Sequence, residues 1–157
     1  MSDALILEHR DYVSVLTFTN PPAHTWTPES LQLLQKIVVE LNANSSNRAL
    51  VLTGAGDKFF SAGADRQRFH YRDVAQATDF STAFGAAFQV LSAYQGVSIA
   101  AINGYAMGGG LEVALACDVR IAELEGTVEA RGRVGVRGRV RIMAQFLLSY
   151  SWHSGPH

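Results

Sequence analysis

The spacing of apolar positions changes several times along this 157-residue chain, and each change marks an element. Leu5-Ile6-Leu7 and Val13 to Phe18 are short strand-like runs. In the second, Val13 and Val15 alternate with Ser14 before Leu16-Thr17-Phe18, and the polar His9 to Asp11 between the runs predicts a hairpin. Asn20-Pro21-Pro22 stops the second strand, since proline has no N–H to give to a ladder. Thr27-Pro28 then reads as an N-cap followed by proline at the first helical position. Leu31, Leu34, Ile37, Val38 and Leu41 recur at helical spacing, which predicts a helix to about Ala43.

After the polar loop Asn42 to Asn47, Ala49 to Leu52 is a short apolar run suited to a buried strand. It feeds Thr53 to Asp65, a loop with three glycines that ends in small residues. Phe80, Phe84, Ala87, Phe88 and Leu91 mark a second helix with one apolar face, ending before Gly96. Ile99 to Ile102 is the next strand, Asn103-Gly104 a bend, and Gly108-Gly109-Gly110 open a segment of good helix formers that reaches Cys117. Val119 to Ala122 is one more short strand. Strands and helices that alternate in this way imply an α/β fold whose sheet is largely parallel, with helical crossovers.

Past Glu123 the pattern dissolves. Five of the eleven arginines fall between Arg131 and Arg141, where glycine and arginine alternate with valine. The segment from Met143 has an apolar cluster and then a turn-rich end without a clear element. The expected division is a core over 1–123 and an atypical Arg/Gly-rich segment over 124–157, a solvated or poorly ordered extension.

Composition narrows the function. An apolar fraction of 48% in one domain of ordinary size can bury a real core, which excludes disordered and collagen-like classes. A net charge of −1 predicts neither a nucleic-acid nor a membrane partner, so any phosphate affinity of the arginine cluster would be local. The single cysteine cannot pair within the chain, and the N-terminal residues lack the apolar core of a signal peptide, so a cytoplasmic location is expected. Cys117 reads as a small core residue. His153 and His157 have metal-like spacing, but Gly155-Pro156 between them forbids a helix, and no metal site is expected.

Candidate chemistry gathers around the glycines. Gly54-Ala55-Gly56 is a poor dinucleotide-binding match, because Phe59 stands where the third glycine belongs. No phosphate-binding Gly-Lys-Ser/Thr and no G-x-S-x-G elbow is present. Around Gly108 to Gly110 a ligand can lie directly against the backbone, and the first N–H groups of the helix have no intrahelical partner. These donors suit an oxygen that becomes negative, and Glu112 in the same turn could serve as a carboxylate base. The same residues also fit close helix–strand packing with ordinary dipole compensation by Glu112.

Two blocks together resolve this ambiguity. Phe59-Phe60-Ser61-Ala62-Gly63-Ala64-Asp65 and the stretch Ala100 to Ala122, AAINGYAMGGGLEVALACDVRIA, resemble the enoyl-CoA hydratase/isomerase, or crotonase, family. The likeness spans Leu5 to Glu123 and implies a spiral of repeated β-β-α units, incomplete at its C-terminal end. It implies binding of acyl-CoA thioesters, with the thioester oxygen held as an enolate by the N–H groups of Ala64 and Gly109. It also implies that Glu112 acts on the water added to a 2-enoyl-CoA. The groove for coenzyme A would be lined by Ala62, Gly63, Ala64, Asp65, Gly108 and Gly109, with no cofactor beyond the coenzyme A of the substrate. Homotrimers or hexamers are usual in the family.

The departure from the family pattern is specific. Hydratases of this family carry a second glutamate in a Pro-Glu pair, whose position falls near Gly132; neither the pair nor the glycine-rich turn after it is present. Glu125 and Glu129 are the nearest carboxylates there. The family's later helical section, which covers the acyl pocket, also has no counterpart. Three readings remain: a hydratase, an isomerase that works with one glutamate, or a non-catalytic CoA-binding remnant.

Overall fold

Three successive β-β-α units build the described part of the chain. In the computed structural model, residues 4–65, 67 and 74–122 are described. The first unit is β1 (Leu5–Arg10), β2 (Val13–Phe18) and α1 (Pro28–Ala43), and the second is β3 (Ala49–Gly54), β4 (Phe59–Ser61) and α2 (Val74–Ser92). The third is β5 (Val97–Ile102), β6 (Tyr105–Ala106) and α3 (Gly109–Ala116), followed by β7 (Val119–Ala122). A five-stranded sheet runs β1-β2-β3-β5-β7, antiparallel only at the β1–β2 hairpin, and β4 pairs with β6 in a second, parallel sheet. The first unit thus lays both its strands on the large sheet, whereas the second and third each lay one strand on the large sheet and one on the small sheet before their helix. This is the crotonase-type spiral.

Alternation on the central strands explains the core. Leu16 and Phe18 of β2, Leu50 and Leu52 of β3, and Ala100 and Ile102 of β5 all point inward and are buried. They meet Leu31, Leu34, Ile37, Val38 and Leu41, the stripe predicted for α1. Each such large aliphatic side chain contributes roughly 1.5–3 kcal/mol when removed from water. The start of α1 is secured twice over. Thr27 Oγ1 accepts from the Ser30 N–H at 3.2 Å, and Ser30 Oγ accepts from the Thr27 N–H at 2.9 Å, with Pro28 at the first position.

Two short strands were not foreseen. Thr53 to Asp65 is not wholly loop, because Phe59–Ser61 forms β4, and the residues after the Asn103-Gly104 bend form β6 before the glycines are reached. Strands of three and two residues are too short to display a period, and they exist here because each supplies the other's partners. The second helix also begins earlier than its apolar stripe suggested. Phe84, Ala87 and Leu91 are buried as expected, while the side chain of Phe80 lies outside the described residues.

Asn103 has a larger role than a bend. Its Nδ2 donates to the carbonyls of Gly54 at 2.7 Å and Gly56 at 2.6 Å, and its Oδ1 accepts from the Gly54 N–H at 3.0 Å. One amide side chain therefore ties the end of β5 to the end of β3.

Asp118 makes the corresponding link at the opposite edge. Its Oδ2 accepts from Ser98 N–H at 2.8 Å and from Ser98 Oγ–H at 2.7 Å, while its own N–H donates to Ser98 Oγ at 2.9 Å. The Ser98 backbone N–H, then its hydroxyl, hold the Asp118 carboxyl below its usual range. The folded protein then binds fewer protons at this group than the unfolded chain. Its stabilisation is present above the unfolded pKa near ~4 and is lost as pH falls through the lower folded value. Asp118→Asn is expected to lower stability at pH 7 by about 1–2 kcal/mol, the size of lost charge-assisted hydrogen bonds. In urea melts the gap to the parent should close below about pH 4; a gap independent of pH would refute this account.

Candidate functional site

Three segments leave the carboxyl ends of adjacent parallel strands: 19–27 after β2, 55–65 after β3, and 103–110 after β5. In open α/β sheets this edge is where ligands bind, because the chain reverses there and leaves a crevice. Backbone hydrogen bonds join the three. Ala62 N–H donates to Ala23 O at 2.9 Å, Trp26 N–H to Gly63 O at 2.7 Å, and Asp65 N–H to Trp26 O at 2.8 Å. From the other side, Tyr105 N–H donates to Lys58 O and Met107 N–H to Ser61 O, both at 2.9 Å.

The directions of two N–H groups follow from these bonds. In a trans peptide the N–H lies opposite the preceding C=O. Gly63 O faces Trp26, so the N–H of Ala64 points away from Trp26. Gly108 O accepts from Leu111 N–H at 2.9 Å and from Glu112 N–H at 3.0 Å, so it lies along α3, and the N–H of Gly109 points out of that helix's N-terminus. Among the described residues neither N–H has an acceptor. The segments that carry them are in contact. Gly63, at φ +91°, lies so close that a Cβ there would fall 2.7 Å from Met107 O and 2.9 Å from Gly109 N.

The N-terminus of α3 is the positive end of its dipole, and Glu112 stands exposed in the first turn. At the other end, Arg120 Nη1 donates to the carbonyls of Cys117 at 2.6 Å, Ala114 at 3.1 Å and Leu115 at 3.4 Å. These carbonyls have no further turn to bond to, and the guanidinium satisfies them. Cys117 is buried beside them, its Sγ–H donating to Val113 O at 3.4 Å. Burial pushes its thiol up to about 12, so it packs and is no nucleophile.

The sequence-derived residues divide as follows. Ala62, Gly63, Ala64 and Asp65 lie on one segment, and Gly108, Gly109 and Glu112 on the adjoining helix start. Gly63 is buried; Ala62, Ala64, Asp65 and Gly109 are half-buried; Gly108 and Glu112 are exposed. Asp65 Oδ1 accepts from the Gln67 N–H at 2.9 Å. Glu125, Glu129, the position near Gly132, the Arg131–Arg141 cluster, His153 and His157 lie outside the described residues. Two features escaped the sequence reading. Asn20-Pro21-Pro22 reads in sequence as a strand stop, yet the 19–27 segment that it opens forms one wall, and Ser61 reads as one of several small residues, yet it bonds to both neighbouring segments. The run Pro21-Pro22-Ala23-His24 was the available signal, since a turn placed beside two glycine loops can meet them.

An aromatic group backs the site. Trp26 packs edge to face on Phe18 at 5.0 Å and on Phe88 at 6.2 Å between ring centroids, and Phe88 on Phe84 at 5.4 Å. A Cβ on Gly109 would meet the Phe84 ring at 2.5 Å, so α2 supports the start of α3 directly. No helix among the described residues is long and apolar enough to cross a membrane.

Comparison with known proteins bears on the family and the fold. Residues 8–131 match the sequence model of the enoyl-CoA hydratase/isomerase family, a match that runs past Glu123. The chain is 35% identical to the short-chain-enoyl-CoA hydratase of Clostridium acetobutylicum over 75% of its own length and 46% of that protein. It is 34% identical to the crotonyl-CoA hydratase of Syntrophomonas wolfei over 75% of its length and 46% of that protein. Among solved structures, DspI of Pseudomonas aeruginosa superposes with a TM-score of 0.79 at 48% identity, covering 82% of this chain and 53% of that one. An enoyl-CoA hydratase of Bacillus anthracis superposes at 0.77 with 29% identity, covering 81% and 50%. The chain spans about half the length of the curated relatives it matches. On its fold, its paired glycine segments and its match over most of its length, the chain belongs to the enoyl-CoA hydratase/isomerase family.

Proposed function

We propose that this chain binds an acyl-CoA thioester and stabilises its enolate for addition of water to a 2-enoyl-CoA. The observation that carries the reading is the pair of outward N–H groups, Ala64 and Gly109, on touching segments, with Glu112 one turn further along α3. An oxygen that gains charge needs donors already in place, and loss of one such donor costs about 10²–10³ in rate. Ala62, Gly63, Ala64, Asp65, Gly108 and Gly109 supply the small-residue groove in which the thioester and the arm of coenzyme A would lie.

The proposed step balances on one carboxylate. Glu112 takes a proton from water as the oxygen adds to Cβ. The π electrons move through Cα to the thioester oxygen, which the two N–H groups hold. The enolate then collapses and the proton returns from Glu112 to Cα, giving the 3-hydroxyacyl thioester. The relatives named as hydratases support this choice.

Isomerisation is the second reading, favoured by the make-up of the site itself. Besides Glu112, the two glycine segments bring only Asp57 and Asp65 among their described carboxylates; Asp57 is exposed ahead of β4, and Asp65 already accepts from the Gln67 N–H. A single base can lift a proton from Cα of a 3-enoyl-CoA and return it to Cγ. Crotonyl-CoA hydration and 3-enoyl-CoA isomerisation, measured side by side on the full chain with calorimetric titration of an acyl-CoA, separate the readings. Hydration is expected. Isomerisation without hydration overturns the first choice, and binding without either turnover identifies a CoA-binding protein that does no chemistry.

A further inference from the structure

We infer that Ser61 is the positioning residue that holds both N–H donors in register, an inference that rests on the enolate-binding reading above. Ser61 is fully buried at the end of β4, and it is bonded in three directions. Its Oγ–H donates to His24 O at 2.7 Å, which fastens the 19–27 segment. The same oxygen accepts from the Gly63 N–H at 3.2 Å, and its main-chain carbonyl accepts from the Met107 N–H at 2.9 Å. Its side chain thus reaches the 19–27 segment and its main-chain carbonyl the 103–110 segment.

The hydroxyl acts on the donors through Gly63. A serine side chain that accepts from the N–H two residues on closes a small turn and limits the torsions of the residues within it. Here that turn holds Gly63 at φ +91° and sets the plane of the next peptide, whose N–H belongs to Ala64. Gly63 in turn abuts Met107 O and Gly109 N, so its position also decides how near the second donor lies. Without the hydroxyl, Gly63 N–H and His24 O lose their partner, and the peptide carrying Ala64 N–H keeps only the bond from Trp26 N–H to Gly63 O to hold its plane. Ser61 touches no reacting atom in this scheme; its effect is on geometry alone.

The distinguishing quantity is binding of an enolate against binding of a ground state. Acetoacetyl-CoA, which readily carries negative charge on its oxygens, reads the donors; butyryl-CoA, which is saturated and neutral at the acyl group, reads the groove. In Ser61→Ala, kcat for crotonyl-CoA hydration is expected to fall about tenfold to a hundredfold with KM within about twofold, as for a small misplacement of a catalytic group. Acetoacetyl-CoA affinity should fall by a similar factor, and butyryl-CoA affinity should hold. Ser61→Cys keeps the volume and a weaker S–H donor; it should lose less, and it serves the same comparison if Ser61→Ala does not fold. Equal weakening of both thioesters, or a lowered melting temperature with parent-like kcat, overturns the inference. If the parent binds neither thioester, the enolate-binding reading fails, and this inference fails with it.

Discussion

Glu112→Gln is expected to lower turnover of crotonyl-CoA by about 10²-fold or more, the usual range for removal of a positioned general base. Binding of butyryl-CoA should stay close to that of the parent. Glutamine keeps the shape of the side chain and its exposed place in the first turn of α3, but its amide cannot take a proton from water. The two N–H donors are untouched, so thioester binding and oxygen polarisation survive. Stability should change little, because the lost charge–dipole term at a helix N-terminus contributes about 0.3–1 kcal/mol. Stopped assays with parent and variant, together with titration of each, check all three quantities. Parent-like turnover would remove Glu112 from the mechanism, whereas lost binding would mean that it holds substrate and does no proton transfer.

Gly110→Ala is expected to cost about 3 kcal/mol or more of folding stability, at the upper end of what overpacking does. A Cβ at this position would fall 2.1 Å from Ser61 O, 2.7 Å from Ser61 C and 2.8 Å from Ser61 Cβ. The atoms it meets are chiefly backbone of β4, which is held by its own ladder with β6 and cannot turn aside as a flexible side chain could. The collision would also push α3 away from the segment that carries Ala64, so activity should fall with stability. Gly85 provides the contrast. It is exposed on α2, and outside its own helix backbone no atom of the described residues lies within 4 Å of an added Cβ, so Gly85→Ala should stabilise by about 0.5–1 kcal/mol. Urea melts of the two variants should shift in opposite directions; a mild Gly110→Ala would show that the two segments are not locked together.

Much of this layout was legible before any coordinates. The stripe Leu31, Leu34, Ile37, Val38 and Leu41 and the pair Thr27-Pro28 placed α1 at Pro28–Ala43, because caps and periodicity act within a few residues of chain. The central strands were legible for the same reason. β4 and β6 were not, since Phe59–Ser61 and Tyr105–Ala106 hold strand geometry only through each other, across more than forty intervening residues. Asn103 displayed the signature of a turn residue. Its side chain spends its hydrogen bonds on Gly54 and Gly56 of another segment, which local spacing cannot reveal.

The sequence by itself determined which residues could form the site: glycine and alanine on two segments, and a carboxylate in the first turn of a helix. That much is chemistry of residue type. Only the tertiary structure decided that the segments touch, that Gly63 sits against Gly109, and that the Ala64 N–H points away from Trp26. Donor direction is a property of a peptide plane, and a peptide plane takes its orientation from the partners of its neighbours. Here those partners are Trp26, Met107 and Ser61, far apart along the chain and adjacent only in the folded spiral.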